Sequence, residues 1–136
     1  MSGPAPSPLE VLVVDDNAMN IELVQFILEA AGHRVRCAAD AAQARAAITA
    51  QRPDAILMDI QLPGMDGLAL THALKADAAT RQIVVIAFTA YAMKGDEARL
   101  RAEGCDGYLA KPIEVALFAA QVEAIVVAQR ASPTAN

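Results

Sequence analysis

The sequence predicts an α/β fold, a doubly wound five-stranded parallel sheet with five helices, and three observations carry that prediction. Short apolar runs alternate with helix-period segments along the chain, the pattern of a parallel sheet covered on both faces. Four of those runs end on residues with chemistry: residues 11–14 stop at Asp15-Asp16, 55–58 at Asp59, 83–88 at Thr89, and 107–110 at Lys111-Pro112. The composition is 55% hydrophobic and alanine-rich, with three Phe, two Tyr and no Trp, which suits helices packed closely on a sheet through small side chains.

Each element follows from local signals. After the first strand, a helix is expected over residues 18–31: Asn17 can cap it, Met19, Leu23, Val24, Ile27, Leu28 and Ala31 keep a helical period, and Gly32 stops it. Its Leu23/Ile27 face should pack on the sheet. A second strand over residues 34–39 leads to an alanine-rich helix over 41–51, ending before Pro53 because the residue preceding proline resists the α region. The third strand delivers Asp59 to the turn Gln61-Leu62-Pro63-Gly64. Past Gly64 and Gly67 comes a third helix over residues 68–76, and the run 83–88 is apolar enough to be a central strand buried on both faces. Asp96 caps a short fourth helix closing at Gly104, and the fifth strand occupies residues 107–110. The last helix, over residues 114–129, turns Leu117, Phe118, Val122, Ile125 and Val126 to the core, while Ala119, Ala120 and Val127 widen its apolar arc.

A chain of 136 residues is the size of one domain, and such a domain buries roughly 68% of the surface its unfolded chain exposes. Residues 1–8 read as a flexible lead with neither the basic start nor the apolar stretch of a signal peptide, 9–130 as the domain, and 131–136 as a flexible tail, with no room for an effector domain. No apolar run reaches the roughly 18 residues that span a bilayer, so no membrane insertion is expected. The net charge of -5 and the scatter of eleven Lys and Arg exclude a broad nucleic-acid-binding surface. Cys37 and Cys105 form no CxxC pair and are expected as buried or half-buried free thiols, in keeping with a reducing cytoplasm. His33, in a turn, and His72, in a helix, have no second metal-type ligand nearby in sequence and are assigned no chemical role.

In a parallel sheet the strand C-termini share one edge, where open α/β folds place their ligand sites. Three acids, a hydroxyl and an ammonium would then face one pocket. Three converging carboxylates need a counter-charge, and oxygen-only ligands point to Mg²⁺ or Mn²⁺ rather than zinc. Asp59, alone at the end of its strand, can serve as both metal ligand and nucleophile.

Over residues 10–129 the chain resembles a response-regulator receiver domain, the phosphoacceptor module of bacterial two-component signalling. The resemblance rests on Asp15-Asp16, Asp59, Thr89-Ala90, and Tyr108 three residues before Lys111-Pro112. The segments Val14-Asp15-Asp16-Asn17 and Ala87-Phe88-Thr89-Ala90-Tyr91-Ala92-Met93-Lys94-Gly95-Asp96-Glu97 are similar to those of DivK-like single-domain cell-division regulators and of receivers attached to hybrid kinases.

This resemblance implies the flavodoxin-like, receiver-type version of the fold and a phosphoacceptor that catalyses only its own phosphorylation and a slow dephosphorylation. Asp59 would take a phosphoryl group from a histidine kinase or a histidine phosphotransfer protein. Mg²⁺, with Mn²⁺ as substitute, would be held by Asp16, Asp59 and the Gln61 backbone carbonyl, with Asp15 acting through water. Lys111, the Thr89 hydroxyl and the backbone N–H groups of Ile60 and Ala90 would contact the phosphoryl oxygens. Thr89 and Tyr108 would form the switch, and the downstream protein would bind the face of the fourth helix, fifth strand and fifth helix.

Two alternatives stand beside this reading: an excised receiver of a hybrid histidine kinase, and a receiver-fold interaction module that works without phosphate. A dinucleotide-binding enzyme is excluded because the first strand-to-helix turn, Asp15-Asp16-Asn17-Ala18-Met19-Asn20, has no glycine to admit a pyrophosphate. An aspartyl phosphohydrolase is excluded because that turn lacks the DxD of its superfamily.

Overall fold

The computed structural model describes residues 8–62, 65–89, 96–110 and 113–131. Five parallel strands, β1 (Glu10–Val14), β2 (Arg34–Ala38), β3 (Ala55–Met58), β6 (Val84–Thr89) and β7 (Gly107–Ala110), form one sheet in the order β2-β1-β3-β6-β7. Between β3 and β6 the chain makes a two-stranded antiparallel hairpin, β4 (Gln61–Leu62) with β5 (Met65–Asp66). The helices are α1 (Ala18–Ala30), α2 (Ala41–Ala50), α3 (Gly67–Ala76), α4 (Asp96–Ala102) and α5 (Phe118–Ala131).

Strand alternation divides the interior in two. Leu12, Val14, Ile56, Met58, Val85 and Ala87 point to one face and pack with Ala44 and Ile48 of α2, Leu70 and Leu74 of α3, and Leu100 of α4. Val11, Val13, Leu57, Ile86 and Phe88 point to the other and pack with Val24 and Leu28 of α1 and Phe118, Val122 and Val126 of α5. The rings of Phe88 and Phe118 lie 5.7 Å apart between centroids, tilted by 49°, a favourable aromatic geometry. The helix starts follow their caps: Asn17 accepts from the Asn20 amide at 3.0 Å and Asp40 from the Gln43 amide at 2.8 Å. At the end of α1 the chain reverses through Gly32 at φ +96°, a conformation that side chains disfavour.

Several expectations change. The buried stripe of α1 is Val24, Ile27 and Leu28; Leu23 is 37% and Met19 79% exposed. Two overlapping apolar stripes share Ile27, and the sheet takes the one that contains Val24. Helix α5 begins at Phe118 and not at residue 114, because residues 115–117 form a turn in which the amides of Leu117 and Phe118 both donate to the Glu114 carbonyl. That turn leaves Leu117 half exposed, outside the core expected for it. Cys37 is exposed rather than half-buried, since β2 is an edge strand; Cys105 is buried. Helix α3 starts on Gly67, one residue earlier than expected.

The side chain of His33, which the sequence places in a turn with no chemical role, is buried. It accepts the Leu9 amide on Nδ1 at 3.0 Å and meets Glu123 of α5 with Nε2. Among the described residues no helix is long and apolar enough to cross a membrane.

Candidate functional site

The order β2-β1-β3 makes the chain leave β1 toward one side of the sheet and return as β3 on the other, so a crevice opens between the C-terminal ends of β1 and β3. Two acids stand on its two lips. The Asp15 amide donates to the Ala38 carbonyl at 3.0 Å, extending the β1–β2 ladder by one residue, and the Asp59 amide donates to the Val14 carbonyl at 2.9 Å, extending the β1–β3 ladder. Because Val14 and Met58 are register partners, the next residues, Asp15 and Asp59, come abreast. Apolar strands thus fix the backbone of both acids before any side-chain interaction is considered.

The carboxylates of Asp15, Asp16 and Asp59 converge, with one oxygen from each lying within 4.8 Å of the others. Asp15 is fully buried and Asp59 7% exposed, whereas Asp16 faces solvent. Asp15 is oriented by the Asn17 amide, which donates to its Oδ1 at 2.9 Å. Asn17 therefore both caps α1 and aims an acid, the second role being invisible to a reading of caps alone. Buried carboxylates are costly unless paired, hydrogen-bonded or coordinated. A three-carboxylate, all-oxygen donor set fits a hard divalent cation, so the cluster can hold a metal ion.

The hairpin β4–β5 returns the chain to the same place. Gln61 pairs with Asp66 and Leu62 with Met65, and the Gly67 amide donates to the Ile60 carbonyl at 3.3 Å, closing the loop at its base. This holds the backbone of Ile60 and Gln61 immediately beyond Asp59. On the other side of the crevice, Thr89 is the last residue of β6 and pairs with Ala110 of β7, so the backbone brings Thr89 to the same sheet edge. Tyr108 pairs with Ala87 and lies half-buried against the core shared by α2, α3 and α4. The expected roles of Lys111, Ala90 and Tyr91 fall outside the described residues.

With this geometry in place, comparison with known proteins is informative. The family profile described as "Response regulator receiver domain" matches residues 11–123. The polar-differentiation response regulator DivK of Brucella anthropi is 46% identical over 111 residues, covering 82% of this chain and 90% of that protein. Among solved structures, the chemotaxis response regulator CheY4 of Vibrio cholerae superposes with a TM-score of 0.81 at 25% identity, over 88% of this chain and 99% of that one. The receiver domain of sensor histidine kinase PA1611 from Pseudomonas aeruginosa, solved with a magnesium ion coordinated in its active-site cleft, gives 0.75 at 36% identity, over 90% and 98%.

Proposed function

We propose, from the premise that this chain belongs to the response regulator receiver family of two-component signalling, that Asp59 is its phosphoacceptor and that Asp15 and Asp16 complete a magnesium site around it. The observation that carries the reading is the convergence of the three carboxylates within 4.8 Å at the β1/β3 crevice. Receiver domains interact with histidine kinases and with downstream targets, and the donor in this reading is a phosphohistidine on a kinase or phosphotransfer protein in the cytoplasm.

In the transfer step a carboxylate oxygen of Asp59 forms a new O–P bond while the P–N bond of the phosphohistidine breaks. The electron pair stays on the imidazole nitrogen, which takes up a proton. The residues that would hold the ion are Asp16, Asp59 and the Gln61 backbone carbonyl, with Asp15 acting through water; Mn²⁺ would serve in its place. Mg²⁺ supplies neutralisation of the charge on the transferring group. The magnesium ion in the PA1611 receiver supports this assignment.

Within this reading the Asp59 carboxylate is already aimed, since its backbone sits in a ladder and its side chain is nearly closed off from water. Lys111 supplies an ammonium to a phosphoryl oxygen, and Thr89 with the N–H groups of Ile60 and Ala90 supplies hydrogen bonds. Dephosphorylation is slow because Gln61 and Tyr91 offer no strong base to an attacking water. Thr89 and Tyr108 transmit the phosphorylated state to the face made by α4, β7 and α5.

The test is intact mass after incubation with acetyl phosphate and Mg²⁺. One phosphoryl group, about 80 Da, should appear on the wild type and not on Asp59→Asn. An unmodified wild type, or an adduct mapped to another residue, would overturn the assignment.

A further inference from the structure

We infer that Gly67 is a positioning residue for the acceptor site, and that its lack of a side chain sets where the Asp59–Ile60 peptide lies. A Cβ built on Gly67 would stand 2.6 Å from the Asp59 carbonyl oxygen, 2.7 Å from Ile60 Cα and 3.3 Å from the Asp59 carbonyl carbon. The first two distances are below 3.0 Å, which real Cβ atoms essentially never show, and the atoms met are backbone rather than a side chain that could swing aside. The first turn of α3 therefore rests directly on the peptide that follows the acceptor carboxylate. This inference rests on the phosphoacceptor reading, to which it adds what sets the position of that peptide.

Gly67 is held there from both of its own sides. Its amide donates to the Ile60 carbonyl at 3.3 Å, and its carbonyl accepts from the hydroxyl of Thr71, a fully buried residue, at 2.9 Å. The amide bond closes the β4–β5 loop, and the hydroxyl bond ties that closure to the body of α3. A side chain at residue 67 forces the first turn of α3 and the Asp59–Ile60 peptide apart, and the inference is that the peptide yields, toward the β1 side of the crevice or outward. Either shift moves the Asp59 carboxylate, the Ile60 N–H and the Gln61 carbonyl together.

The size of the effect follows from tolerance. A catalytic constellation has to be held within about 0.5 Å, and a misplacement of about 1 Å costs on the order of a hundredfold. Relief of the Cβ contact requires a displacement near the lower figure. Gly67 has an unremarkable φ, unlike Gly32 and Gly104, so an effect of substitution would come from the close approach and not from backbone strain.

The experiment compares Gly67→Ala with wild type and with Gly32→Ala, where φ is +96° and a Cβ would meet nothing within 4 Å. Magnesium affinity is measured by titration of the amide resonances, phosphoryl uptake from acetyl phosphate by intact mass, and stability by thermal unfolding. Gly67→Ala should displace the Asp59 and Ile60 amide resonances, weaken Mg²⁺ binding by about tenfold and slow uptake. Gly32→Ala should lower the Tm and leave Mg²⁺ affinity unchanged.

Should Gly67→Ala fail to fold, Thr71→Val, which removes the hydroxyl bond to the Gly67 carbonyl without adding bulk at residue 67, should weaken Mg²⁺ binding severalfold, and Thr71→Ser should restore it. Wild-type Mg²⁺ affinity and uptake in Gly67→Ala, or in Thr71→Val if that is the variant that folds, would overturn the inference. A wild type that takes up no phosphoryl group would instead overturn the phosphoacceptor reading.

Discussion

The amide of Asp59 donates to the carbonyl of Val14 at 2.9 Å, so the proposed nucleophile is held by its backbone to the strand that carries the other two acids. Substitution of its side chain leaves that bond intact. Asp59→Asn should consequently fold, and without a metal it should be more stable than wild type, because one of three converging charges is gone. For two largely buried carboxylates at this separation the relief is about 1 kcal/mol or more, enough to raise the Tm by several degrees. Added Mg²⁺ should reverse the order, since an ion at a hundred times its dissociation constant stabilises the wild type by about 2.7 kcal/mol. Thermal unfolding in EDTA and in excess Mg²⁺ checks both halves; an Asp59→Asn curve that follows wild type in both would show that the cluster neither repels nor binds.

His33 supplies a second stability prediction. Its Nδ1 accepts the Leu9 amide, so the ring hydrogen is on Nε2 and is donated to Glu123, tying the start of the sheet to α5. Removing the ring orphans a buried amide, at a cost of about 1–3 kcal/mol, before any loss of packing. His33→Ala should therefore lower the denaturation midpoint clearly, while Glu123→Gln, which keeps an acceptor for Nε2–H, should lower it less. Equal losses in urea unfolding would mean that the charge of Glu123, and not the Leu9 bond, is what matters.

The two thiols should behave differently. Burial pushes the Cys105 thiol up from 9.0 to about 11, with a Thr71 hydrogen bond opposing the shift, whereas Cys37 is exposed on the edge strand. A thiol reagent at pH 8 should modify one cysteine in the native protein and two after unfolding. The raised pKa also fixes a sign: the unfolded chain ionises this thiol first, so the stabilisation is complete below pH 9.0 and is lost as pH rises toward about 11. In Cys105→Ala that part of the alkaline loss should be absent.

How much of this was legible in the sequence depends on what each residue had to decide. The strand ends at Asp15, Asp59 and Thr89 were legible because the preceding runs are apolar on both faces, and the parallel register then brings the acids together without further information. The β4–β5 hairpin was not, since a two-residue strand has no period to detect. Leu23 and Val24 are both apolar, and only the position of the sheet decides between them. The burial of His33 depends on Leu9 and Glu123, which are distant in sequence. Gly67 read as a loop residue, and its contact with the Asp59–Ile60 peptide emerges only when the hairpin folds back.

The last prediction concerns output. Phosphorylation adds about two negative charges at the sheet edge, where the chain of Thr89 ends β6. In the proposed switch the Thr89 hydroxyl is drawn to the phosphoryl group, and Tyr108 turns into the space released. Tyr108 is half-buried on β7, packed on the core that contains Leu100 of α4, so its movement must repack the junction of α4 with β7. A partner shifts this equilibrium only by binding one arrangement better than the other, and so must touch the α4–β7–α5 face. Thr89→Ala should then accept phosphate nearly as well as wild type but bind a phosphate-dependent partner about tenfold less tightly, and Tyr108→Ala should show a similar loss. Partner affinity measured with and without beryllofluoride decides the matter: a wild type that gains affinity while both variants gain little supports the switch, and equal affinity in the two states for all three proteins would place the output elsewhere.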